Sequence, residues 1–220
     1  MRSLIAKEIQ LVVHPATYIL MLLGALVLIP SWPYMVILLY GILTAFFNGL
    51  NAREANDLSY SFSLPVSRRG LVRARVAVMM GIEAAMVAVM AVFVCLREPL
   101  GINGAMAAQP LVGLPANVSL LGFSLMAFGL FNAVFFPLYY RNPLKVGVPF
   151  ILACIPTMVF GVLFEAIPYL PFAACQAVGA AGFGHLGAQL CVLAVGVVAF
   201  GVLGAVAEKL ATRTFARYNA

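Results

Sequence analysis

One acid stands deep inside an apolar run, and it is the residue best placed to handle a proton or a cation: Glu83, within residues 74–94. An ionisable group at hydrocarbon depth is a functional hypothesis by default. It has two readings, a coupling site for a proton or ion and a hydrogen bond to a neighbouring helix near Asn132. Glu165, at the end of a later apolar run, has the same two readings, with solvation at the interface the simpler one. Other chemistries fail on residue type or spacing. Ser124 lacks the following glycine of a nucleophile turn, and His14 and His185 lie at the ends of different apolar runs, so no nucleophile has a base. Lys7, Lys145 and Lys209 are followed by Glu8, Val146 and Leu210, never by the Ser or Thr of a Walker motif. Cys95, Cys154, Cys175 and Cys191 form no Cys-x-x-Cys pair and imply neither a zinc site nor a disulfide framework, although Cys95 and Cys175 could share one side and be bridged. No catalytic, cofactor-binding or metal-ligating residue is expected.

The elements that must position Glu83 are membrane spans. Hydrophobic residues make up 64% of the chain and charged residues 9%, against about 45–50% and 25% in soluble domains, and the mean hydropathy is +1.06. A soluble core of this size needs a polar coat, yet residues 146–164 hold no charge at all. A net charge of +6 could indicate nucleic acid in a soluble protein. Here the basic residues flank apolar runs, where they set orientation, so no nucleic acid is expected.

Residues 2–14 read as an amphipathic surface helix, with Ser3, Lys7, Gln10 and His14 on one face and Leu4, Ile5, Leu11 and Val12 on the other. Glu8 falls on the apolar side and needs a basic partner or the headgroup region. Charged and polar residues so early also argue against a cleavable signal peptide. Six spans follow, at about 16–30, 34–50, 74–94, 118–138, 146–164 and 186–207, giving an all-α integral membrane protein in a single transmembrane domain over 1–220. The first is short, and Trp32 marks an interface after it. Residues 165–185, with two prolines and three glycines, are too apolar for a free loop and too broken for a crossing, and fit a re-entrant outer segment before the last span. Gly187, Ala194 and Gly201 recur every seven residues as a small-residue seam for helix packing. Twelve of the thirteen Lys and Arg fall on one side of these spans, leaving Arg97 on the other, so both ends of the chain and the central loop are expected in the cytoplasm.

That central loop, 51–73, is the most polar stretch. The segment from Asn51 to Val76 carries Arg53, Arg68, Arg69, Arg73 and Arg75 with Glu54 and Asp57. Asn51 could cap a short helix that Pro65 ends, presenting Leu58 and Phe62 to a partner, while Ser67 is placed to cap the helix of the third span. A solvated basic turn explains the arginines but not the apolar Leu58, Phe62, Leu64 and Val66 among them.

The run Leu64-Pro65-Val66-Ser67-Arg68-Arg69-Gly70-Leu71 before a helix, together with Lys7-Glu8 in a surface helix, six spans and Phe136-Pro137-Leu138-Tyr139-Tyr140, resembles the small bacterial type-2 ABC transporter permeases. The resemblance covers most of the chain. It implies an exporter subunit of the bacterial cytoplasmic membrane that pairs with a second permease, a homodimer or heterodimer, and couples to a separate ATPase subunit holding ATP and magnesium. It also implies that Asn56, Asp57, Leu58, Phe62, Leu64, Pro65, Val66, Ser67, Arg68 and Arg69 form the coupling segment that docks on the ATPase. The alternative is an autonomous ion- or proton-coupled carrier using Glu83.

Overall fold

A computed structural model describes residues 2–29, 32–63, 65–103 and 113–218, and among them every regular element is helical. The chain begins with α1 (Arg2–Lys7), which widens into a π-helical turn, Glu8–Val12. A bend of 93° then leads into α2 (Ala16–Leu22) and a 3-10 continuation, Leu23–Leu28. The corner is held by α3 (Met35–Glu54). Asn48 Oδ1 accepts from the His14 N–H at 2.8 Å and the Thr17 hydroxyl at 2.9 Å, and the Asn51 amide donates to the carbonyls of Leu11 and Val12 at 3.2 and 3.1 Å. Those carbonyls lie at a helix end without intrahelical partners, so Asn51 satisfies them. Asn51 therefore sits inside α3 and clamps the first helix; it does not cap the helix of the loop.

Five helices are long and apolar enough to cross a membrane: α3, α5 (Arg68–Leu96), α6 (Val118–Tyr139), α7 (Gly147–Glu165) and α9 (Leu186–Ala216). The bent pair at the N-terminal end makes a sixth only if it is taken as one span. Seven α-helical and six 3-10 residues reach about 22 Å, short of the roughly 30 Å hydrocarbon core. Two helices overrun the expected loop: α3 continues to Glu54 and α5 starts at Arg68, so the polar connection contracts to residues 55–67. Arginine is a good helix former, and a charged helical turn in water has no reason to unwind.

α6 is the central helix, buried along most of its length between α7 and α9. Its approach to α9 depends on glycine: a Cβ on Gly122 would stand 2.5 Å from the Val192 carbonyl oxygen, and one on Gly196 would meet the Gly122 backbone. The packed face of α9 runs through Gln189, Gly196, Gly204, Ala207, Ala211 and Phe215. Gly187, Ala194 and Gly201 are exposed on its other side, where added Cβ atoms at both glycines meet nothing. The expected seam is thus not an internal one. Residues 189 and 196 share its seven-residue spacing, and the facing Gly122 decides between the two rows.

At the end opposite the basic loop, Arg97 is buried and donates to the Val27 carbonyl, to Tyr34 Oη at 3.1 Å and to Asn103 Oδ1 at 3.0 Å. Glu165 accepts from the Met35 N–H at 3.0 Å, at the positive end of α3, and from the Leu114 N–H at 2.7 Å. The connection from α7 to α9 contains a 3-10 turn, Ile167–Tyr169, and one short helix, α8 (Ala173–Val178). Asn117 and Gln189 hold it, donating to the carbonyls of Val178, Ala180 and Gly182. All four cysteines are free.

Candidate functional site

The polar connection folds on itself before α5 begins. Asn56 takes a left-handed conformation, φ 49°, which asparagine tolerates better than most residues, and turns the chain from α3 into a short helix, α4 (Asp57–Ser63). Ser67 then caps α5, its hydroxyl accepting from the Gly70 N–H at 3.1 Å. On α4, residues 57, 58 and 61 fall on one face at 100° per residue, and that face turns inward.

A buried charge cluster receives it. Asp57, only 3% exposed, pairs with both Lys7 and Arg75, while Glu8 pairs with Arg75 at 2.8 Å and with Lys7 at 3.2 Å. Lys7 Nζ also donates to Ser61 Oγ at 2.7 Å, and Arg75 to Tyr139 Oη at 3.2 Å. Two acids and two bases leave the cluster neutral, and it joins α1, the π-helical turn, α4, α5 and α6. Burial by itself would raise the Asp57 pKa, but the Arg75 charge and the Lys7 hydrogen bond and charge outweigh it, holding the carboxyl below its ordinary 3.8. Glu8, the acid out of place on its helix, finds its basic partners here.

A second fastening lies beside the first. The Arg68 guanidinium donates to the carbonyls of Phe215, Ala216 and Tyr218 at 3.1, 3.3 and 2.8 Å, closing the C-terminal end of α9 with a cation where the helix dipole favours one. It also lies 5.6 Å from the ring centroids of both Phe62 and Phe215, which stack 6.0 Å apart.

The expected coupling residues therefore divide. Asp57, Arg68 and Ser67 engage in holding the segment, and Leu58 and Val66 are half-buried against the core. Phe62 keeps 38% of its surface exposed beside Phe215, and Asn56, Pro65 and Arg69 are exposed. Leu64 lies outside the described residues. Tyr60, which sequence reasoning did not single out, is the most exposed large side chain of α4 at 50%. Its signal was its place: residues 59, 60 and 63 lie away from the Asp57–Ser61 face. Arg69 and Arg73 stand 3.8 and 3.7 Å from Glu208 of α9.

Glu83 is a separate site. It is 1% exposed in the middle of α5, and the Asn132 amide of α6 donates to its Oε2 at 2.6 Å. Glu83 Oε1 and Asn132 Oδ1 find no partner. Among the described residues, no three His, Cys, Asp or Glu side chains gather as a metal site. Comparison of the chain with protein-family models, curated proteins and solved structures finds no match to any of them.

Proposed function

We propose that this chain is the membrane-spanning permease subunit of an ATP-driven ABC exporter in a bacterial cytoplasmic membrane, with α4 as the element that docks on a separate ATPase subunit. One observation carries the reading: α4 is fastened from behind by the Lys7, Glu8, Asp57 and Arg75 cluster while Tyr60 and Phe62 remain outward. A merely solvated turn gains nothing from two buried carboxylates that each pair with two bases. A lever that must transmit force between a soluble partner and the spans gains rigidity, and exposed aromatics are the usual anchors of protein interfaces. In this reading ATP and magnesium belong to the partner, two permease copies or paralogues enclose the path, and the bent N-terminal pair serves as surface helix plus first span of six. The basic loop faces the cytoplasm, as its arginine content favours. The test is co-expression with a soluble ATPase bearing Gly-x-x-x-x-Gly-Lys-Ser/Thr, which this reading expects from a neighbouring reading frame. Tyr60→Ala with Phe62→Ala is expected to insert normally but to lose co-purification or substrate-stimulated ATP hydrolysis, and full coupling in that variant contradicts the docking role.

A second reading rests on Glu83, whose Oε1, like Asn132 Oδ1, is buried without a hydrogen-bond partner. An autonomous carrier would use that acid for a proton or cation. Glu83→Gln separates the two: transport that survives it with an unchanged pH profile favours the exporter, and transport abolished in an inserted chain favours the carrier.

A further inference from the structure

Two clefts flank α9 at the basic end, and they differ in what answers their arginines. On the α5 side Glu208 lies close to Arg69 and Arg73. On the α6 side a cleft of about 630 Å³ has Arg141, Arg213 and Arg217 around an apolar floor of Pro137, Leu138 and Leu210. Among the described residues no carboxylate lies within ion-pair distance of those three arginines.

We propose that this second cleft binds the phosphate of an anionic phospholipid from the leaflet at the basic end, with an acyl chain laid along α9. The arginines come from two places in the chain, Arg141 after α6 and Arg213 in the last turn of α9 with Arg217 at its C-cap, so they can close on a phosphate from both sides. Guanidinium groups grip phosphate through paired N–H donors, and an anion relieves the mutual repulsion of three close cations. The helix face that carries Arg213 and Arg217 continues away from the cleft as Leu210, Val206, Val202 and Val198, all exposed, in steps of three or four. From Val198 to Leu210, twelve residues at 1.5 Å give about 18 Å, close to one leaflet of a roughly 30 Å core. An acidic protein surface would use the arginines but leave that apolar track without a role. The inference requires only that α6 and α9 cross a membrane, so it stands or falls apart from the exporter reading.

Native mass spectrometry of the purified chain, titrated with phosphatidylglycerol or with phosphatidylcholine of the same acyl chains, tests it. Phosphatidylglycerol is expected to be retained and phosphatidylcholine released. Each Arg→Gln change at 141, 213 or 217 should weaken retention about fivefold, the triple change by about a hundredfold, and Arg73→Gln at the other cleft not at all. If the triple variant fails to insert, the three single variants decide. Equal retention of both lipids by the parent, or undiminished phosphatidylglycerol retention in the single variants, overturns the proposal. Displacement of the lipid by equimolar inorganic phosphate also overturns it, as a small-anion site. So does a triple variant that keeps its lipid but loses a co-purifying subunit, which makes the cleft a protein interface.

Discussion

Two buried polar sites in this bundle are built on opposite plans. At the basic end, Asp57 and Glu8 each meet Lys7 and Arg75, so every charge has an opposite charge and five segments of chain are joined at one point. In the middle of the bundle, Glu83 meets only the Asn132 amide, two helices are joined, and one oxygen on each residue is left without a partner. The difference teaches where rigidity is invested. The cluster fixes a surface element, α4, to the spans behind it, whereas the Glu83–Asn132 hydrogen bond links α5 to α6.

The most damaging way to break the comparison is to remove one member of the cluster. Arg75→Ala leaves two buried carboxylates with Lys7 alone, and unpairing a buried ion pair costs about 3–5 kcal/mol. A lower melting temperature in detergent is expected, with fast hydrogen exchange in 57–63. Slow exchange there would mean that α4 is held by something else.

Glu83→Ala should cost less, about 1–3 kcal/mol, because it strands a neutral amide and not a charge. Glu83→Gln keeps the shape and brings an N–H donor to the place where Oε1 now faces none, so its melting temperature should match the parent. A large loss with glutamine would show that the carboxylate itself is needed.

Acid distinguishes the two sites further. The Asp57 pKa is lower in the fold than its ordinary 3.8, so the stability it contributes is complete above that value and is lost as the pH falls through the folded pKa. Protection of the α4 amides, measured relative to their intrinsic exchange rates at each pH, should therefore be weaker at about pH 3 than at about pH 6, and Asp57→Asn should remove that dependence. An α4 equally protected at both would separate its anchoring from the Asp57 charge.

Smallest in stability is Tyr60→Ala, a surface change expected within about 0.5 kcal/mol of the parent. A drop of several degrees in melting temperature would place Tyr60 with the cluster and not with the outward surface.

How much of this was legible in the sequence follows the range of the interactions. Long apolar helices, the Ser67 cap and the nearness of Glu83 to Asn132 rest on local pattern or on depth along a helix, and all can be read from residue types. The charge cluster cannot, because Glu8 and Arg75 are 67 positions apart and no periodicity links them. Sequence shows only that Glu8 is misplaced on its own helix. Leu58 was equally ambiguous: an apolar residue in a short polar helix can face a partner or the core, and the burial of Asp57 and Ser61 on the same face turns it inward. Which row of α9 packs inside the chain is open in the sequence for a related reason, since two rows share one spacing and only Gly122 across the contact chooses between them. The shortness of the first span is legible in its length, whereas the sharp corner before it is not, because Asn48 and Asn51 hold that corner from α3, 31 to 40 positions away.

The central claim is that the outward face of α4 meets a soluble ATPase. A photo-crosslinking side chain at position 60, with position 148 on the exposed face of α7 as the comparison, tests it in native membranes. The account predicts that position 60 captures a soluble chain whose sequence contains Gly-x-x-x-x-Gly-Lys-Ser/Thr, and that position 148 does not. Lipid adducts alone at position 60, or the same ATPase captured equally at 148, would contradict it.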